Sequence, residues 1–193
     1  MRYLLQVIII SLLFIPSVNL QGQSLPDSFK IGDYIEVSDN GNILVYMNCT
    51  GAIVEKKCAE FYRVGKADSI HVNFSGQISD YYLSGDLAMK ANIDDDQLNG
   101  EALYYYRNGQ LKSKGNYKQD IKNGAWIYYY PNGKMEKIVN YVNGNPLIVS
   151  YYQKNGKQRV TEGNGKYRGE FNSFKGCAPF TVHGEVKDGK MSG

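Results

Sequence analysis

The feature that most constrains the fold of this chain is a short pattern that recurs at a nearly fixed interval. Residues 102–117, ALYYYRNGQLKSKGNY, and residues 126–141, WIYYYPNGKMEKIVNY, each place a run of tyrosines before an Asn-Gly pair and a further tyrosine after it. The glycines at this turn position recur at intervals of 24, 24 and 23 residues, at Gly85, Gly109, Gly133 and Gly156. Four copies in one register between residues 76 and 160 predict a repeat protein.

Each copy has the composition of a β-hairpin. Asn-Gly favours a two-residue type I′ turn, because both central residues of that turn need positive φ. Tyrosine and β-branched residues on either side prefer strands. A two-residue loop at Asn108-Gly109 would pair Tyr106 with Leu111. The polar segments between hairpins, 92–100 and 117–124, are typical of loops. The turn glycines are therefore expected to be structural.

The alternation of side chains along the strands then separates two faces of the sheet. One face is expected to be packed, because most of its aromatic side chains lie opposite apolar partners; it carries Tyr82, Tyr106, Tyr130 and Trp126. The other face is expected to be solvated and carries Tyr81, Tyr105, Tyr129 and Tyr152, the last three opposite Lys112, Glu136 and Arg159. Tyrosine offers a large contact area and a hydroxyl group, so this second row is a predicted binding surface. Alternatively, these rings only shield the sheet.

The first 22 residues have the organisation of a secretory signal peptide. Arg2 gives a short positive start, an apolar run extends from Leu4 to Ile15, and small and polar residues follow. The run is too short to span a bilayer comfortably, and no other stretch of the chain has the hydrophobicity of a membrane span. We therefore expect an exported protein, periplasmic or associated with the cell envelope, from which residues 1–22 are removed. An uncleaved membrane anchor is the alternative.

The repeats resemble the MORN-repeat variant found in bacterial proteins. GEALYYYRNGQLKSKGNYKQDIKNG and GAWIYYYPNGKMEKIVNYVNG carry the motif closely, and SGQISDYYLSGDLAMKA and LIVSYYQKNGKQRV carry weaker copies, so the resemblance covers residues 76 to about 160. It implies an all-β fold of stacked hairpins in one elongated, single-layer antiparallel sheet, with a scaffold or binding role rather than chemistry. Some proteins with this repeat are antitoxins of toxin–antitoxin pairs, a role that fits an exported protein poorly.

Two further segments flank the repeats. Residues 23–75 are predicted to be an N-terminal β segment with hairpins at 33–48 and 61–76. Residues 161–193 hold a glycine-rich segment and the start of a further repeat, which stops where another hairpin is expected. The chain is therefore expected to be a fragment or a shortened reading frame, and an effector domain beyond Gly193 is one possibility. Its last strand would then be an open edge that favours self-association.

Export also bears on the three cysteines. Cys49 and Cys58 are close in sequence, and an oxidising compartment favours a disulfide between them; two unlinked thiols are the alternative. Cys177 would be buried or paired outside the chain. The two histidines, His71 and His183, are far apart in sequence and give no zinc signature.

The composition argues against a nucleic-acid partner. Lys and Arg total 22 and Asp and Glu 19, which gives an evenly spread net charge of only +3. The acidic segment around Asp94 and Asp96 lacks the glycine and glutamate of an EF-hand loop, and no catalytic or phosphate-binding motif is found. We therefore expect no metal, no cofactor and no enzymatic activity. The expected function is a scaffold for a protein partner or, alternatively, a surface binder of glycan or lipid headgroups.

Overall fold

The computed structural model describes residues 31–37, 41–67, 72–172 and 179–192. The predicted signal peptide and Cys177 lie outside this part of the chain. Within it, the strands are β1 (Ile35–Val37), β2 (Ile43–Met47), β3 (Phe61–Ala67), β4 (Phe74–Tyr82), β5 (Leu87–Asp94), β6 (Gln97–Tyr105), β7 (Leu111–Lys118), β8 (Ile121–Tyr129), β9 (Met135–Val142), β10 (Asn145–Tyr152), β11 (Gln158–Thr161), β12 (Asn164–Asn172), β13 (Pro179–Lys187) and β14 (Lys190–Ser192). Short 3-10 helices occupy Ile31–Asp33 and Lys56–Cys58.

All fourteen described strands join in chain order into one antiparallel sheet. Every strand pairs with the next one along the chain, so the sheet is a continuous series of hairpins with β1 and β14 at its edges. The predicted all-β fold of successive hairpins is therefore confirmed. The hairpins also continue on both sides of the predicted repeats: β3 pairs with β4, and β12 with β13.

The tyrosine-rich turns are three-residue loops rather than the predicted two-residue loops. In the turn after β6, the N–H of Gly109 donates to the carbonyl of Tyr106, and the N–H of Tyr106 donates to the carbonyl of Gln110, both at 2.9 Å. Gly109 has a φ of 78°, which closes a type I turn with a glycine bulge. The predicted pairing of Tyr106 with Leu111 is therefore wrong, because Tyr105 lies opposite Leu111. Positive φ values at corresponding turns occur at Gly85, Gly133 and Gly156.

A β-bulge restores the predicted register one step further from the turn. Tyr104 lies opposite Ser113, because Lys112 is an extra residue between two paired positions. The same shift recurs in the next hairpin. Beyond it Trp126 lies opposite Val139, which is the pair that a two-residue loop at Asn132-Gly133 also predicts. Bulges bend a strand and increase its twist, so a bulge in each repeat favours a strongly curved sheet.

The segments predicted to be polar loops are strands joined by two-residue turns. Only Gln119 and Asp120 connect β7 to β8. Both residues have positive φ, 51° and 64°, which identifies a type I′ turn. Asp95 and Asp96 join β5 to β6 in the same way. The type I′ turn expected at the Asn-Gly pairs therefore occurs instead at the turns that connect the opposite ends of the strands.

The sheet curls until strands that are not neighbours come into contact. Lys137 on β9 donates through Nζ to the hydroxyl of Tyr167 on β12 at 2.9 Å. The backbone N–H of Ile148 on β10 donates to the carbonyl of Gly189, in the turn before β14, at 2.8 Å. The curl gives the sheet a concave face. Across this face, side chains of β9 and β12 come into contact.

The larger of the two core clusters among the described residues contains Trp126, the single tryptophan of the chain. Its side chain is fully buried (0% exposed), and its indole N–H donates to the carbonyl of Asn116 at 3.1 Å. Tyr117 meets the indole edge to face, with ring centroids 5.1 Å apart. Gly115 lies directly against the ring, where a Cβ atom would come within 2.3 Å of the indole. The face predicted to be packed therefore contains the largest buried side chain.

The predicted disulfide between Cys49 and Cys58 is wrong. Cys58 is a free, exposed thiol at the end of the second 3-10 helix, whereas Cys49 is disulfide-bonded. The local backbone explains the difference. The side-chain oxygen of Asn48 accepts the N–H groups two and four residues later, so the chain reverses immediately and Met47 bridges to Ile53. This turn is complete before the chain reaches Cys58, so it does not place Cys58 opposite Cys49.

We predict that Gly115→Ala lowers the free energy of unfolding by about 1–3 kcal/mol, because the added methyl group overpacks a core that has no free volume beside Trp126. Urea denaturation measures the change. The matched control is Gly32→Ala, where a Cβ atom meets nothing within 4 Å; it should leave stability almost unchanged. Wild-type stability in Gly115→Ala would contradict the close approach of Gly115 to the indole.

Candidate binding groove

The four tyrosines predicted to form a binding row occupy the ends of alternate strands. Tyr81, Tyr105, Tyr129 and Tyr152 lie at or next to the last residue of β4, β6, β8 and β10. All four are half-buried rather than fully solvated, and Tyr81 stacks on Tyr62 with ring centroids 5.2 Å apart. None of the four lines the groove described below. Their role in binding stays a prediction.

A second tyrosine row, offset by one residue, links successive repeats. Hydroxyl groups donate to backbone carbonyls one repeat further along: Tyr82 to Tyr105 at 2.9 Å, Tyr106 to Tyr129 at 2.7 Å and Tyr130 to Tyr152 at 2.7 Å. We call these contacts the tyrosine ladder. Burial is the main cause that raises the pKa of Tyr106 to about 12, so this hydroxyl stays protonated and donates. The sequence signal for the ladder was the adjacency of two tyrosines before each turn.

A groove of about 1300 Å³ opens on the concave face between β6 and β13. Its lining is rich in aromatic rings and in charged side chains of both signs. The aromatic and charged members are Tyr104, Tyr106, Tyr117, Tyr128, Tyr130, Tyr141, Tyr151, Phe171, Lys112, Lys122, Lys137, Lys154, Arg168, Asp120, Glu136 and Glu170. Five basic groups against three acidic ones give the lining a positive balance, and the rings supply broad contact surfaces.

Lys122 lies within a cage of aromatic rings. Its Nζ is 4.2 Å from the ring centroid of Trp126, 5.4 Å from that of Tyr128 and 5.3 Å from that of Tyr141. Nζ also donates to the hydroxyl of Tyr128 at 3.0 Å. Such positions attract a cation through the negative face of each ring. The ammonium group is therefore held in place without a carboxylate.

The electrostatic environment of Lys122 disfavours its charged form. Burial lowers the pKa of its amine to about 8, with smaller contributions from the positive charges of Lys137 and Lys112. None of the ion pairs among the described residues includes Lys122. Its amine therefore titrates close to neutral pH, unlike that of an exposed lysine.

Lys137 is buried, whereas Lys122 is half-buried, and the fold compensates the charge of Lys137. Nζ lies 3.4 Å from the carboxylate of Glu136 and donates to the hydroxyl of Tyr167 and to the carbonyl of Glu170. Burial lowers the pKa of Lys137 and raises that of Glu136, while their attraction opposes both shifts. Lys137 therefore ties β9 to β12 and forms part of the groove wall.

Two pairs of tyrosine hydroxyls line the groove beside Lys122. Tyr104 and Tyr117 lie 3.0 Å apart through their hydroxyl oxygens, and Tyr128 and Tyr141 lie 2.9 Å apart. Burial is the main cause that raises the pKa of all four hydroxyls. They remain protonated at neutral pH and hold the rings in fixed orientations.

Metal-ligating side chains do not cluster in the described part of the chain: no group of three or more His, Cys, Asp or Glu residues is arranged to hold an ion there. In the same residues, no helix is long and apolar enough to cross a membrane.

We predict that Lys122→Met raises the free energy of unfolding near pH 7 by about 1–3 kcal/mol, because it removes a half-buried charge whose folded-state pKa lies below its unfolded value. Below pH 8 the wild-type lysine is charged in both states, so its full cost is present. The cost fades as pH rises from about 8 to about 10.5, where the unfolded lysine also loses its proton.

Urea denaturation at several pH values measures the difference between Lys122→Met and the wild type. The difference should shrink across this pH range. Lys118→Met, at an exposed position on β7, serves as the control and should show no such trend. A difference between Lys122→Met and the wild type that stays constant with pH would contradict the lowered pKa.

The two clearest hairpins match a known repeat family. The family described as MORN repeat variant matches residues 98–119 and again residues 122–143. The first range covers almost all of β6 and β7, and the second covers almost all of β8 and β9, so each match corresponds to one hairpin with its tyrosine-rich turn. A search of curated proteins found no match. The two matched hairpins are therefore MORN repeats of the variant type, as the resemblance of their sequences predicted.

Proposed function

We propose that this chain is an exported, non-enzymatic scaffold that binds a protein partner in the groove of its concave face. The observation that carries the proposal is the groove itself, with seven tyrosines among its lining residues. Aromatic side chains are enriched at protein interfaces and dominate their binding energy. Export is supported by the charge and apolar pattern of residues 1–22.

The tyrosines of the groove are held in position before any partner arrives. The hydroxyls of Tyr106 and Tyr130 are engaged in the tyrosine ladder, and that of Tyr128 is bonded to Tyr141. An interface made of fixed rings loses little conformational entropy on binding. Lys137, on the groove wall, serves the fold in the same way, since it joins two strands. These features favour a binding surface over a catalytic one.

A second candidate function is binding of glycan or lipid headgroups. Basic side chains project over rings at two points of the groove: Lys112 lies 5.7 Å from the ring centroid of Tyr106, and Lys154 lies 6.0 Å from that of Tyr130. Rings beside cations suit sugars and anionic headgroups as well as proteins. A second candidate surface is the row Tyr81, Tyr105, Tyr129 and Tyr152, which does not line the groove.

Photo-crosslinking in the producing cell distinguishes these surfaces. A photoreactive phenylalanine is placed at Gln153 or Thr181, which line the groove, and in separate variants at Tyr105 or Tyr129, which do not. We predict crosslinks to the same protein from both groove positions and none from the tyrosine row. None of these variants replaces Tyr82, Tyr106 or Tyr130, whose hydroxyls donate in the tyrosine ladder. We therefore expect all four variants to fold.

Crosslinks only from Tyr105 and Tyr129 would move the binding surface to the tyrosine row. Absence of protein crosslinks at all four positions, together with co-sedimentation with anionic vesicles, would favour the headgroup binder and contradict the protein scaffold.

A further inference from the structure

We propose that Lys122 and Lys112 form an anion-binding subsite in the groove, which takes a carboxylate from an acidic segment of the partner. The inference rests on the proposed function, because the segment belongs to the protein that occupies the groove. It adds the chemistry of the occupant, which neither the repeat family nor the fold assigns.

The first observation is the charge of Lys122, which lies half-buried in the groove and belongs to no ion pair of the described residues. Among the described residues, its neighbours are the rings of Trp126, Tyr128 and Tyr141 and one hydroxyl. Rings attract a cation but do not neutralise it. A buried charge without a counter-charge is costly, so an anion that enters the groove gains more at this position than at a solvated lysine.

The second observation is that further positive charge surrounds the same point. Lys112 is the extra residue of the β7 bulge, is half-buried and lines the groove. Its charge and that of Lys137 both act on Lys122. Lys137 is compensated by Glu136 at 3.4 Å, whereas neither Lys112 nor Lys122 belongs to an ion pair of the described residues. Two uncompensated cations therefore share one wall.

The acidic residues of the groove restrict which anion fits. Asp120, Glu136 and Glu170 also line it. A ligand with dense negative charge, such as a phosphate backbone, would meet these carboxylates and be repelled. A peptide whose acidic residues are separated by apolar ones can direct a carboxylate to Lys122 and place its apolar side chains on the tyrosine rings. The alternation of charge and rings favours that class of occupant.

The test uses two synthetic peptides of equal length, one of alternating Glu and Leu and one of alternating Gln and Leu. Binding is measured by calorimetry, and access to Lys122 by amine acylation at pH 8 followed by mass spectrometry. We expect the Glu peptide to bind about tenfold tighter than the Gln peptide, a difference of about 1.4 kcal/mol, since its contact with Lys122 is charge-assisted. We also expect it to protect Lys122 from acylation.

Two variants complete the test. Lys122→Met should abolish the preference for the Glu peptide, and the matched control Lys118→Met, exposed on β7 and outside the groove lining, should keep it. Equal affinity for the two peptides, or a preference that survives Lys122→Met, would overturn the subsite. Protection of Lys122 by inorganic phosphate or by phosphatidylglycerol vesicles, without protection by the Glu peptide, would assign it to phosphate and also overturn the proposal.

Failure of this test is distinguishable from failure of the proposed function. Crosslinking from Gln153 and Thr181 does not depend on Lys122 or on the charge of the occupant. Crosslinks from those positions, combined with equal peptide affinities, would retain the groove as a protein-binding site and remove only its preference for acidic segments.

Discussion

In the described part of the chain no second layer covers the sheet, so the sheet has to bury one of its own faces, and its curl meets that requirement. The indole is fully buried, with tyrosine rings around it and Gly115 against it. The curl also brings β9 to β12, where Lys137 bonds to Tyr167. Because the face is covered by side chains rather than by another layer of backbone, part of it remains open. That open part is the groove.

The same constraint explains the tyrosine motif. One tyrosine of each repeat reaches the backbone of the next through its hydroxyl, as Tyr106 reaches Tyr129, so hairpins that are marginal alone support one another. The bulge beside each turn adds curvature and places Lys112 on the groove wall. The elements that stabilise the repeat array therefore also fix the rings and cations of the proposed binding surface.

Local chemistry is the part of this fold that could be predicted from sequence. The 24-residue period, the hairpins and the pairing of Trp126 with Val139 depend on residues close in the chain. The predicted type I′ turn at the Asn-Gly pairs is wrong, because an Asn-Gly pair fits both a two-residue loop and a three-residue loop closed by a glycine bulge. The turn at Gln119 and Asp120 was missed because it contains no glycine, although both residues have positive φ.

The groove could not be predicted, because it is made by strands that meet only through the curl of the whole sheet. Lys122 and Lys137 follow no local pattern that separates them from solvated lysines. Lys122 is half-buried against Trp126 and Lys137 is buried beside Tyr167, through contacts that the repeat period alone does not specify. The sequence therefore predicts the architecture of successive hairpins but not the groove that the curl of the sheet creates.

The burial of the indole in the curled sheet is tested most directly by the fluorescence of the single tryptophan, Trp126. We predict a blue-shifted emission that acrylamide quenches only weakly and that is lost in the same urea transition as the far-UV circular dichroism signal of the sheet. Both signals should change together because the curl of the sheet buries the indole. A red-shifted, readily quenched emission from the folded protein would show that the indole is solvated and would contradict the account.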